Sequence, residues 1–525
     1  MTDSTVEKLA AAVLIPPFPG PVAPSWFLRA LEGGLAGVTF FASNMAGGPS
    51  SVAALTASLR AAAPDLLIAV DEEGGDVTRT WYGTGSPYPG NAALGAADDV
   101  RLTEAVYASI GTHLAALGVN LNLAPCVDVL SAPSNPVIGT RAFGPSPALA
   151  ARHGAAAVRG LQSRGVAACA KHFPGHGATT ADSHLELPVI PGGPADIRER
   201  DLPPFGAAIG AGVLTIMPGH LRVPWLTGEL PASLSAAALT LLRGELGFSG
   251  VVVTDGLEMR AVSGPHGLAG ASVMALVAGC DLLCTGRDQS EEDYLAVRSA
   301  IVEAVRSGAL PGSRLEEAAE RVARLRARLA AGPDPAAGRP GLDTGAGLDT
   351  GAGLDAGAGR GPLGLQAARR ALVLTGPRPS LRSPVVIEVE PVLNIAVGQA
   401  HWGLAGWTPP ADLHRIAAAD DAAADKALNA AAGRDLIVAF RDAHRSPATQ
   451  DFVTAVLAGR PDAVLLEMGL PYWMPPAGSY QAHLATYGAS RASTQAAVEL
   501  LGLDGVAPGR TPAGPRNLDI DWRVT

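Results

Sequence analysis

The sequence predicts an α/β protein: a (β/α)8 TIM barrel over residues 1–332, a Gly/Ala-rich linker over 333–362, and a smaller α/β sandwich domain over 363–525. Three observations predict the barrel. Residues 1–330 carry eight short, continuously apolar runs at wide spacing, the pattern of parallel strands covered on both faces. Longer helical patterns alternate with them, as crossover connections require. Charged or imidazole side chains follow four of the eight runs, and in a barrel those strand ends converge on one rim.

The eight runs are residues 11–15, 37–41, 66–70, 119–123, 166–170, 214–217, 251–254 and 281–284. Helical patterns between them include 100–117, 148–163, 234–246 and 270–278. Asp71 and Glu73 follow the third run, Lys171 and His172 the fifth, His220 the sixth and Asp255 the seventh. After a charged helix comes a stretch with three copies of Gly-Leu-Asp-(Thr/Ala)-Gly-Ala, which has no core-forming pattern and reads as a flexible linker. Its Asp-Thr-Gly triplets lack flanking apolar strands, so an aspartic-protease reading is rejected. Beyond it, apolar runs at 370–374, 385–389, 436–440 and 463–467 alternate with helical patterns at 420–432, 448–458 and 491–501, again α/β. Asp442, His444 and Arg445 form a charged strand end there, and residues 511–525 read as a surface strap or frayed end.

Composition narrows the function. Apolar residues make up 48% and charged residues 17%, a globular balance. A formal net charge of −10 argues against nucleic-acid and acidic-membrane partners. The N-terminal segment has no basic stretch, and its apolar run is short and ends in Pro-Pro, so neither a signal peptide nor a membrane span is expected. Cys126, Cys169, Cys280 and Cys284 sit in or beside apolar runs and read as core residues of a reducing, cytoplasmic protein. No metal set with usable spacing and no phosphate-cradling loop stands out, so no metal and no cofactor are expected.

The densest packet of titratable groups is residues 170–188, AKHFPGHGATTADSHLELP. Asp182 and His184 stand two apart, so in an extended segment they point to one side. A carboxylate there can fix the imidazole tautomer and leave the other ring nitrogen free to move a proton near neutral pH. A lone Asp-x-His is more often a pair of solvated loop residues; Lys171, His172 and His176 alongside favour the chemical reading.

Lys-His-Phe-Pro-Gly-His-Gly followed by Asp-Ser-His resembles the family 3 glycoside hydrolases of the NagZ type, β-N-acetylglucosaminidases, in their two-domain form. The resemblance implies that His184 is the general acid/base and Asp182 its partner. The run GELGFSGVVVTDGLEM resembles the family's nucleophile segment and gives Asp255 that role. In VDEEGGDVTRT, Asp71 and Arg79 match sugar-binding positions; Arg141 in VIGTRAFG, with Lys171 and His172, matches the remaining sugar ligands. Glu73 with Gly74 and Gly75 reads instead as a tight turn, Asp128 as structural, and His220 as support behind the site. Two positions depart from the family pattern: Ala178, where Asp usually follows KHFPGHG, and Asp76, where Arg is usual and whose reversed charge could alter the rim beyond the first sugar.

The implied activity is that of an exo-acting, retaining enzyme that removes terminal N-acetylglucosamine from muropeptides during cell-wall turnover. Its partner is a small carbohydrate glycoside. Most retaining glycosidases use two carboxyls; here the Asp182–His184 dyad takes the place of one. A glycosyl phosphorylase or β-glucosidase of the same family, and a catalytically inactive sugar-binding relative, stay open as alternatives.

Overall fold

The computed structural model describes residues 2–183, 185–287, 289–332, 362–391, 396–398, 403–417 and 420–503. His184, the linker expected over 333–362 except its last residue, and the tail at 511–525 fall outside them. The chain divides into two compact units, Met1–Glu73 with Asp98–Pro362, and Gly74–Ala97 with Leu363–Thr525.

In the first unit six parallel strands run side by side in chain order: β1 (Gly37–Phe40), β2 (Leu67–Val70), β3 (Leu121–Asn122), β4 (Ala167–Phe173), β5 (Thr215–Pro218) and β6 (Val251–Val252). The expected strands at 11–15 and 281–284 are reduced to single parallel bridges, Val253 to Leu282 and Leu14 to Leu283. The ring is carried round by Ile15 N donating to Leu283 O at 3.1 Å and Thr39 Oγ1 donating to Ile15 O at 3.1 Å. There are physical reasons for the shortening. Pro16 and Pro17 have no N–H with which to extend a ladder. Side chains also take backbone donors that a full strand would use: Val252 N donates to Asp281 Oδ2 (3.0 Å) and Cys284 N to Thr254 Oγ1 (3.0 Å).

Side chains from seven of the eight positions, Ile15, Leu67, Leu121, Cys169, Met217, Val253 and Leu282 among them, fill one buried cluster with Val322 and Leu325 from the helix Gly312–Ala330. The interior is a packed core, so chemistry is left to the strand ends. Among the described residues, the helix Arg260–Ala278 is long and apolar enough to cross a membrane. It is interrupted at Gly267 (φ 65°, ψ 161°) and buries Ala271, Ala275 and Leu276.

The second unit is built on a six-stranded sheet: β7 (Val373–Thr375), β8 (Val385–Val389), β9 (Leu413–Ile416), β10 (Leu436–Phe440), β11 (Val464–Glu467) and β12 (Ala482–Ala485). Their order is β7-β12-β11-β10-β8-β9, parallel except for β7. Alternate residues go to opposite faces. Ile387, Val438 and Leu465 pack against the helices Asp421–Ala430 and Pro447–Gly459, while Val386, Ile437 and Leu466 pack on the other side with Leu404, Trp407 and the helix Arg491–Leu501. Residues 370–371, expected in a strand, close the helix Leu363–Ala371.

Residues 74–97, which the sequence assigns to the barrel, pack within this second unit. Ala492 N donates to Ser86 O at 3.3 Å, and the Asp76 carboxylate pairs with Arg441 and accepts from Ala489 N at 3.0 Å. That pairing accounts for an acidic residue at position 76.

Candidate active site

The site is assembled at the C-terminal ends of the barrel strands. Lys171 lies in the C-terminal half of β4 with its side chain 3% exposed. Its Nζ donates to Asp71 Oδ1, just after β2, at 2.7 Å and lies 2.8 Å from Glu73 Oε1. Glu73 in turn accepts a two-pronged bond from Arg141, Nε to Oε2 at 3.0 Å and Nη2 to Oε1 at 2.8 Å. Burial works against all three charges, but each is matched. Arg141 and Lys171 hold the Glu73 carboxyl well below the usual carboxylate range, and Asp71 and Glu73 hold the Lys171 ammonium above its ordinary value. Asn122 of β3 fixes the segment that presents these carboxylates: its Oδ1 accepts from Glu72 N (3.0 Å) and its Nδ2 donates to Glu72 O (2.9 Å).

A register shift between Lys171 and Phe173 lets neighbouring side chains enter the same network. His172 Nδ1 lies 2.8 Å from Asp128 Oδ2, and its Nε2 lies 3.4 Å from Arg141 Nη2. A carboxylate only accepts and a guanidinium only donates, so the proton sits on Nδ1 and Nε2 presents a lone pair. Asp128 Oδ1 also accepts from the backbone N–H groups of His172 (3.2 Å) and His176 (2.7 Å). Burial would raise the Asp128 carboxyl; His172 and His176 overcome it and keep the group an anion.

The loop that follows hangs from this frame. Asn135 Nδ2 donates to the carbonyls of His176 and Thr179, both at 2.9 Å. His176 Nδ1 donates to Thr179 Oγ1 (2.7 Å), leaving Nε2 to accept from Ser183 Oγ (3.2 Å). Burial, with His172 alongside, pushes the His176 imidazole down to about 4, so it is a neutral structural group. Ser183 is the middle residue of Asp-Ser-His; Asp182 closes a turn whose carbonyl accepts from Leu185 N (3.0 Å) and Glu186 N (3.1 Å). Gly177 lets the loop seat at all: a Cβ there would stand 1.9 Å from Val129 O.

Asp255 follows the seventh barrel position, partly buried, and its Oδ1 accepts from Gly256 N at 2.8 Å. His220 Nε2 donates to Gly256 O (2.9 Å) and its Nδ1 lies 2.7 Å from Ser233 Oγ, so the imidazole steadies the backbone beside Asp255. The Cys169 thiol beneath the site is pushed up to about 12, first by burial, and both Asp71 and Asp255 add to the rise against Lys171. The two carboxylates therefore act on one buried group at the same end of the barrel.

The structure thus brings Asp71, Arg141, Lys171 and His172 into one network, with Asp255 at the same rim. Arg79 falls in the second unit, where its Nη2 donates to Ala396 O at 3.1 Å. His184 lies outside the described residues. Two participants went unassigned in the sequence. Glu73 is a hub between Lys171 and Arg141 rather than a turn residue, and its position two after Asp71 was the available signal. Asp128 is the carboxylate that orients His172.

Comparison with known proteins follows the same lines. Residues 30–325 match the glycosyl hydrolase family 3 N-terminal domain. The chain is 34% identical over 325 residues to β-hexosaminidase A of Pseudoalteromonas piscicida, covering 56% of this chain and 54% of that protein. It is 36% identical over 283 residues to β-hexosaminidase LpqI of Mycobacterium tuberculosis, covering 52% of this chain and 70% of that one. Among solved structures, a family 3 β-N-acetylglucosaminidase from Paenibacillus sp. str. FPU-7 superposes with a TM-score of 0.80 at 30% identity, covering 97% of this chain and 99% of that one.

Proposed function

Because the chain belongs to glycosyl hydrolase family 3, we propose that it is an exo-acting, retaining β-N-acetylglucosaminidase with Asp255 as nucleophile and the Asp182–His184 pair as acid/base. The reading is supported above all by one observation. A carboxylate after the seventh barrel position shares its rim with a buried run of sugar-type hydrogen-bonding groups, Asp71, Lys171, Glu73, Arg141 and His172. In this scheme ionised Asp255 attacks the anomeric carbon while imidazolium His184 protonates the departing oxygen. Water then opens the glycosyl-enzyme with His184 acting as base, so two displacements retain configuration. The charged network holds the ring hydroxyls, each with a fixed donor or acceptor, and so aligns the anomeric carbon. Muropeptide fragments are the proposed natural substrates and the cytoplasm the proposed compartment, which the four free, buried thiols support.

The test is hydrolysis of p-nitrophenyl β-N-acetylglucosaminide against the glucoside, with and without phosphate, identifying the released sugar. Free N-acetylglucosamine of retained β configuration is expected. Preference for the glucoside would refute the sugar assignment, and sugar phosphate as product would refute hydrolysis.

A further inference from the structure

We propose that Cys126, Asp128 and His172 form a site for a soft or borderline divalent cation, Zn²⁺ or Cd²⁺, whose occupation blocks the sugar-binding network. The inhibitory part rests on the function proposed above; the binding part does not.

The three side chains offer one thiol sulfur, one carboxylate oxygen and one ring nitrogen, all within 4.8 Å of one another and all buried. Two of them already converge on a single atom. Cys126 Sγ donates to Asp128 Oδ2 at 3.1 Å, and His172 Nδ1 donates to the same oxygen at 2.8 Å. Tetrahedral zinc, with bonds of about 2.3 Å to sulfur and 2.0–2.2 Å to nitrogen or oxygen, sets its ligand atoms roughly 3.3–3.6 Å apart. The two gaps to Asp128 Oδ2 need widen by only about half an ångström to meet that geometry, and the sulfur and the ring nitrogen lie within 4.8 Å of each other.

The backbone beneath is fixed. Cys126 and Lys171 form a parallel bridge, Val127 N donates to Lys171 O at 2.8 Å, and Lys171 N donates to Pro125 O at 3.2 Å. The far oxygen of Asp128 is held by two backbone N–H groups, the supporting shell that orients a ligating carboxylate. Sulfur with imidazole selects zinc or cadmium over magnesium or calcium.

Protons and charge balance simply. The thiol proton leaves to solvent and the cation takes the thiolate. The ring proton of His172 moves from Nδ1 to Nε2, and Nδ1 turns its lone pair to the metal. The triad goes from one negative charge to two, which the dication cancels. The cost falls on the neighbour: protonated Nε2 now faces Arg141 Nη2, donor against donor, where a lone pair had faced it at 3.4 Å. His172 is thereby withdrawn from the network that holds the sugar.

The probes are ZnCl₂ by titration calorimetry and CdCl₂ by its thiolate charge-transfer absorbance, on the full chain. One cadmium–thiolate band per chain is expected. Cys126→Ala should lose it and weaken zinc binding on the order of a hundredfold, the upper end of what a lost supporting group costs a metal site. Cys126→Ser, close in size to the native residue, is the second variant and should behave alike. Zinc should inhibit glycoside hydrolysis by the native chain and spare both variants. A native chain that binds neither metal, or variants that keep the band and the affinity, would overturn the proposal. Metal binding that depends on Cys126 in a chain without glycosidase activity would uphold the site and refute the assigned function instead.

Discussion

Position 255 is where the proposed chemistry concentrates, and its surroundings bear on how a carboxylate there would work. One oxygen is held by Gly256 N, and His220 holds the carbonyl of that same glycine, so the group is oriented by fixed backbone. Asp255→Ala should lower kcat by at least about four orders of magnitude, as removal of a nucleophile typically does, while leaving the melting temperature near that of the native chain. Asp201 makes a separate prediction about pH. It is buried against Gly175 of the Pro-Gly loop, and burial raises its carboxyl to about 6, with Asp128 adding to the rise and Arg200 opposing it. A carboxyl whose folded value is raised contributes stability below its ordinary value of 3.8 and loses it as pH climbs through 6. Asp201→Asn removes that loss. Melting curves from pH 4 to pH 7 should show the variant gaining on the native chain across that window, by up to about 3 kcal/mol. A constant difference would refute the assignment. Glu73 marks the limit of reading single residues: in Asp-Glu-Glu-Gly-Gly the glycines pointed to a turn, and only Lys171 and Arg141, far off in sequence, make it a hub.

Among elements, the loop from Pro174 to Ser183 carries the most consequence. It has little apolar content of its own and is held by polar anchors, chiefly Asn135, which donates to the carbonyls of both His176 and Thr179. Asn135→Ala removes the donor to the Thr179 carbonyl, at about 1–3 kcal/mol, while Thr179 N and Oγ1 still donate to the His176 carbonyl. If the loop delivers the acid, as proposed, its misplacement should slow glycosides with poor leaving groups far more than those with good ones, with KM little changed. His184→Ala should show the same asymmetry more strongly. Uniform loss across leaving groups, for either variant, would argue against an acid on this loop. The strand pattern was legible because parallel strands buried on both faces are unbroken apolar runs, and all eight barrel positions stand where such runs predict. What escaped were β9, whose Leu-His-Arg-Ile carries two polar residues at a sheet edge, and β12, whose four residues include a buried histidine. Neither has the apolar continuity on which the others were recognised.

At the scale of the whole chain, the division into units is the feature least available to a linear reading. Residues 74–97 sit in sequence inside the barrel and in structure with residues 363–503, because their polar groups are satisfied there. Asp76 shows how. Its carboxylate is 2% exposed, pairs with Arg441, whose side chain is 9% exposed, and caps the backbone N–H of Ala489. Burial alone would lower the Arg441 guanidinium; Asp76 and Asp442 more than restore it. A buried pair of this kind contributes modestly as a pair but is costly to break, because one partner's removal strands the other's charge. Asp76→Ala should therefore destabilise the second unit by about 3–5 kcal/mol in denaturant unfolding, and Arg441→Met by a comparable amount. The double variant should recover much of the loss, since no unpaired charge is left behind. The coupling from the four-variant cycle is the quantity to measure. Strict additivity would mean that the two residues do not depend on each other. The acid at position 76 would then have to be explained by something other than Arg441.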